Sequence, residues 1–161
     1  MTIVTTIYLE MTDVSQLRAK PCDDSRFRVL EATENQWQMN RSLYETIGAN
    51  CAWRDKLSWS DNQWRCYVDD DNLRTFIAYY DGDVAGYFEL FKQGQQVQIA
   101  YFGLTPGFIG RGFGGALLTR ALEQAWQTDP ERVWVHTCNL DHEAALANYL
   151  ARGMAIYKTE T

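Results

Sequence analysis

The sequence predicts one domain of mixed α/β (α+β) class, a mostly antiparallel central sheet of about six to seven strands flanked by about four helices. Three observations predict it. A chain of 161 residues suits a single core. Its apolar residues, 46% of the total with 14% aromatic, are enough to fill one. From Leu73 to Leu104, strand-like runs alternate with tight turns, and after them the pattern changes to helix, strand, helix, strand. The expected domain is residues 1–161, with 1–25 an additional N-terminal strand and connection.

Each element has a local reason. Thr6 to Met11 is apolar and β-branched, and Arg26 to Ala32 alternates, so both read as strands, joined through Pro21, Asp23 and Asp24. Thr33 is placed to cap a helix from Glu34 to about Ile47, with Trp37, Leu43, Tyr44 and Ile47 near helical spacing and Gly48 ending it. An irregular stretch with Trp53, Leu57 and Trp59 follows. Ser60 then caps a short helix carrying Trp64 and ending near Asp69. Thr75 to Tyr80, Val84 to Phe91 and Gln96 to Leu104 form an antiparallel meander with turns at Asp81-Gly82-Asp83 and Gly94. Beyond the loop Pro106 to Gly110, residues Gly112 to Gln127 are helical, with Leu117, Leu118, Leu122 and Trp126 on one side. A strand from Arg132 to Cys138, a helix from His142 to Ala151 capped by Asp141, and a strand from Met154 to Thr159 after Gly153 complete the chain.

Fifteen basic and twenty-one acidic residues give a net charge of −6, and Lys and Arg form no stripe, which argues against a nucleic-acid partner. Negative charge favours a cationic substrate such as an amine. Cys22, Cys51, Cys66 and Cys138 lack any Cys-x-x-Cys spacing, so they read as reduced thiols of a cytoplasmic protein, with no zinc ribbon. No leader pattern or membrane-length apolar run is present, and no membrane partner is expected.

The chemically informative stretch is Leu104 to Leu118, where a strand passes through Gly107, Gly110, Gly112, Gly114 and Gly115 into an amphipathic helix. Glycines let successive backbone amides converge on one anion at the positive end of a helix. A diphosphate fits such a cradle, and Arg111 adds a guanidinium suited to phosphate. A Walker A loop would end in Gly-Lys-Ser or Gly-Lys-Thr, which is absent. Gly110, Gly112 and Gly115 do satisfy the dinucleotide fingerprint Gly-x-Gly-x-x-Gly. That fingerprint opens a long alternating strand and helix series, whereas here a meander precedes it and only about fifty residues follow.

Pro106 followed by Arg111-Gly112-Phe113-Gly114-Gly115-Ala116-Leu117-Leu118 resembles the coenzyme A motif of the GCN5-related N-acetyltransferase (GNAT) superfamily: Arg or Gln, two residues, Gly, any residue, Gly or Ala. Gly112 and Gly114 match it, and Ile109 at the first position departs from it. The resemblance runs from Thr75 to the C-terminus and includes Ala145, Tyr149, Gly153 and Met154, similar to the family's Ala, Tyr, Gly-Phe ending.

The resemblance implies acetyl-CoA as co-substrate, without metal, and direct acetyl transfer to a small-molecule or peptide amine by a monomer or homodimer. Phe102, Gly103 and Leu104 would offer backbone groups to the acetyl carbonyl and pantetheine. The amides of Ile109, Gly110, Arg111, Gly112, Phe113, Gly114 and Gly115 would hold the diphosphate, and Asn139 would meet the pantetheine amides. Tyr149 falls where many members keep a tyrosine that protonates the departing thiolate. Gln98 occupies the position of the family's glutamate base and cannot accept the proton. Glu89, inside the apolar run Gly86 to Phe91, and His136 are the two candidate bases. A metal site of His136, Cys138 and His142, or a Cys138 nucleophile, is disfavoured by their placement on a strand and the turn after it. A non-catalytic acyl-CoA binder of the same fold, and a dinucleotide-binding oxidoreductase, are the alternatives.

Overall fold

A computed structural model describes residues 3–161. Seven strands form one open mixed sheet: β1 (Thr6–Met11), β2 (Phe27–Ala32), β3 (Leu73–Tyr80), β4 (Asp83–Gln93), β5 (Gln96–Leu104), β6 (Arg132–Cys138) and β7 (Ala155–Glu160). Four α-helices accompany them: α1 (Trp37–Gly48), α2 (Asp61–Val68), α3 (Phe113–Trp126) and α4 (Ala145–Ala151). The sheet order is β2-β3-β4-β5-β6-β1-β7, with every neighbouring pair antiparallel except β5 and β6. The predicted class, strand number and meander are all present.

Strand alternation divides the core between two faces. Phe76, Phe88 and Leu90 pack with Leu117, Leu118 and Leu122 of α3, whereas the intervening Ile77 and Tyr87 pack with Leu43 and Ile47 of α1. Each fully buried leucine or phenylalanine contributes about 1.5–3 kcal/mol. The N-terminal strand is an internal member of the sheet, with β6 on one side and β7 on the other; Leu9 and Met11 are fully buried.

Two helix starts differ from expectation. α1 begins at Trp37 with Gln36 as N-cap, so Thr33 does not cap it. Asn35 intervenes: its Oδ1 accepts from the Trp37 amide at 3.2 Å while its Nδ2 donates to the Arg65 carbonyl at 3.2 Å, tying the approach to α2. α4 begins at Ala145 instead of His142, and Asp141 is not its cap. The Asp141 carboxylate instead accepts from Thr137 Oγ1 at 2.5 Å, the Cys138 amide at 3.2 Å and Trp53 Nε1 at 3.2 Å, so its acceptor capacity goes to the end of β6. Ser60 caps α2 as expected, in a reciprocal capping box with Gln63.

The feature that places the site is a divergence of β5 from β6. They pair in parallel only at Gln96 with Arg132, Val97 with Val133 and Gln98 with Trp134. A register shift between Glu89 and Leu90 leaves Ala100 as an extra residue that bends β5, while Val135 to Cys138 follow β1.

Candidate active site

The divergence opens a cleft of about 990 Å³. Ile99 to Leu104 line one side and Val135, His136 and Cys138 the other; Asn148 and Tyr149 of α4, Gly114 and Gly115 of α3, and residues 50–56 complete the wall. The two halves have different chemistry.

One half is built around the start of α3. Gly112 is its N-cap, in left-handed conformation at φ 87°, with no side chain capping the helix and no acidic residue in its first turn. A β-carbon on Gly110 or Gly112 would meet nothing within 4 Å, so open space lies before these amides. The first N–H groups of a helix have no intrahelical acceptors and lie at the positive end of its dipole. An unblocked terminus of this kind, beside a cleft, fits the diphosphate of a coenzyme. Asn148 Nδ2 donates to the Gly114 carbonyl at 3.0 Å and ties α4 to this turn.

The predicted cradle residues are not all brought together. Phe102, Gly103, Leu104, Ile109, Gly110, Gly114 and Gly115 line the cleft, whereas Arg111, Gly112 and Phe113 do not. The Arg111 guanidinium lies over the rings of Phe108 at 4.7 Å and Tyr80 at 5.1 Å, and Phe113 is buried against Phe27 with ring centroids 5.0 Å apart. Asn139 also lies off the wall. Its Oδ1 accepts from the Thr5 amide at 2.9 Å and its Nδ2 donates to the Ile3 carbonyl at 2.8 Å, so it clasps the chain entering β1. Gly103 has a packing reason to be glycine, since a β-carbon there would stand 2.5 Å from Ile47 Cγ2.

The other half is aromatic and polar. Tyr149 lines the cleft from α4, its ring 6.2 Å from that of Phe102, and burial pushes its phenol pKa up, with the Asp141 charge adding to the effect. His136 also lines the cleft, exposed on β6 beside the rings of Tyr8 and Trp134. Glu89 is 1% exposed and is not part of the wall. Its Oε1 accepts from the Tyr67 hydroxyl at 2.5 Å and its Oε2 from Asn40 Nδ2 at 2.8 Å. Burial raises the Glu89 pKa, with the hydrogen bonds from Tyr67 and Asn40 and the charge of Lys56 working in the opposite sense.

Asp55, Lys56, Tyr67 and Tyr101, all on the cleft wall, were not singled out by the sequence. The Lys56 ammonium donates to Tyr101 Oη at 2.8 Å, pairs with Asp55 at 3.0 Å, and lies 4.7–5.0 Å from the ring centroids of Trp59, Tyr67 and Tyr101. Burial works against the charge of Asp55, yet hydrogen bonds from Tyr101, Lys56 and Tyr44 hold its pKa below the usual carboxylate value. The available signal was Tyr67 three residues after Trp64, on one face of α2. Tyr44 and Trp64, each 1% exposed, are core residues of this side. Among the described residues no group of three His, Cys, Asp or Glu side chains is placed to hold a metal, and no helix is long and apolar enough to cross a membrane.

The model of the acetyltransferase (GNAT) family matches residues 31–154. An aminoglycoside acetyltransferase from an uncultured soil metagenomic sample superposes with a TM-score of 0.66 at 16% identity, over 80% of this chain and 88% of that one. A GCN5-related N-acetyltransferase from Sphaerobacter thermophilus superposes at 0.71 and 15% identity, over 98% of this chain and 50% of that one. A third, from Kribbella flavida, gives 0.67 at 13% identity, over 96% and 57%. The chain thus spans between half and three fifths of the last two proteins. No curated protein matches it in sequence.

Proposed function

Because the chain belongs to the acetyltransferase (GNAT) family, we propose that it transfers the acetyl group of acetyl-CoA directly to a primary amine of a small molecule or peptide. The observation that carries this reading is the parting of β5 from β6 beyond Gln98 and Trp134, with the uncapped start of α3 beside the resulting cleft. A thioester arm can enter between the strands while its diphosphate meets the free amides. The donor supplies an activated carbonyl. The chain supplies position and proton transfer.

Tyr149 is assigned the acid role. Its raised pKa keeps the phenol protonated at neutral pH, so it can give its proton to the thiolate as the carbon–sulfur bond breaks. The attacking amine must arrive neutral, and Gln98, which lines the cleft, cannot take its proton. Glu89 and His136 are the two candidate bases. Asp55, Asp70 and Asp141 on the same wall favour an acceptor that enters as a cation.

Acetyl-CoA titrated calorimetrically, followed by free-thiol release across a panel of amines, tests the proposal. Binding with release is expected. Binding without release for any amine would leave an acyl-CoA binder, and stabilisation by NADH but not acetyl-CoA in thermal unfolding would overturn the family chemistry.

A further inference from the structure

We propose that Tyr67 is the route by which the acceptor's proton reaches Glu89, so that a carboxylate sealed from the cleft serves as the base. This rests on the acetyl-transfer reading above and identifies which of its two candidate bases operates. Glu89 is 1% exposed and absent from the wall, while Tyr67, on α2, is part of the wall and donates to Glu89 Oε1 at 2.5 Å. Its proton therefore already points inward, and the phenol oxygen keeps lone pairs that can accept from the cleft side.

Transfer balances without a lasting tyrosinate. The N–H bond of the substrate ammonium breaks as its proton goes to Tyr67 Oη; the Tyr67 O–H bond breaks as that proton goes to Glu89 Oε1. The result is a neutral amine, a neutral phenol and a protonated carboxyl. Burial suits each group to its part: it raises the phenol pKa, which disfavours a free tyrosinate, and it raises the carboxyl pKa, which makes Glu89 a stronger base.

The surrounding elements hold the pair in register. Asn40 of α1 donates through Nδ2 to Glu89 Oε2 at 2.8 Å and to Thr75 Oγ1 of β3 at 3.0 Å. Tyr87 of β4 and Tyr101 of β5 are close enough to sense the Glu89 charge, and Lys56 faces the Tyr67 ring at 5.0 Å. His136, by contrast, is exposed on β6 and hydrogen-bonded to none of these groups.

The test compares two amines small enough for any acceptor cleft: methylamine, protonated at neutral pH, and hydroxylamine, already neutral there. In the full chain, Glu89→Gln and Tyr67→Phe should each lower kcat/KM for methylamine roughly 100-fold while changing that for hydroxylamine less than about threefold, and should leave a methylamine pH profile that follows only the free-amine fraction. Equal losses for both amines would show a purely structural role and overturn the relay. So would methylamine turnover within twofold of wild type in either variant, or a wild-type protein that acetylates hydroxylamine alone. Acetyl-CoA titration of wild type and both variants separates these outcomes: no binding by wild type means that the acetyl-transfer reading has failed, whereas binding with altered turnover concerns the relay.

Discussion

Gly103 of β5 and Ile47 of α1 are in such close approach that a β-carbon on the glycine would lie 2.5 Å from Ile47 Cγ2. The strand that walls the cleft is thereby pressed against the helix that backs it. Gly103→Ala is expected to cost about 1–3 kcal/mol by overpacking. In an Ile47→Ala background the same substitution should cost less than about 1 kcal/mol, because its partner is gone. Urea unfolding of the four proteins checks this, and equal costs in both backgrounds would refute the contact.

Gly112 holds φ 87° at the start of α3 with nothing within 4 Å of a would-be β-carbon, so strain alone should penalise a side chain. Gly112→Ala is expected to lose about 1–2 kcal/mol and Gly112→Asn less, since asparagine tolerates left-handed backbone better. Chemical denaturation should rank the three proteins in that order.

Tyr149→Phe removes the phenol assigned to protonate the thiolate and leaves the ring against Phe102. Thiol release should fall roughly 10²-fold or more in kcat while the calorimetric affinity for acetyl-CoA stays within about twofold. A large loss of affinity would give the hydroxyl a binding role instead.

Glu89 also makes stability depend on pH. Its pKa is raised from 4.5 by burial, so the folded state binds its proton more tightly than the unfolded chain does. The contribution is complete below the unfolded value and is lost as pH rises through the raised folded one. Glu89→Gln cannot ionise, so its melting temperature relative to wild type should climb as pH rises above the unfolded carboxyl value of 4.5 and level off above the raised folded one. A flat difference across that window would mean that Glu89 titrates alike in both states.

Leu9 lies at 0% exposure in β1, whereas Ile156 on the edge strand β7 is 48% exposed. Leu9→Ala should cost about 2–5 kcal/mol by leaving a cavity, and Ile156→Ala within about 0.5 kcal/mol. Comparable losses in guanidinium unfolding would contradict the internal position of β1.

The sequence by itself determined the local terms. The meander from Leu73 to Leu104, the Ser60 cap, the glycine turn before α3 and the family likeness were all legible, because hydrophobic period, capping residues and glycine conformation act within a few positions of the chain. Tertiary structure decided what depends on partners distant in sequence. It set β1 between β6 and β7, gave Asn139 to the Thr5 backbone, turned Arg111 onto the rings of Tyr80 and Phe108, and drew Asp141 away from α4. Above all it brought Tyr67, twenty-two residues before Glu89 in the chain, within 2.5 Å of that carboxylate. A polar side chain sealed from water takes whichever donors packing brings to it, and no periodicity encodes which those are.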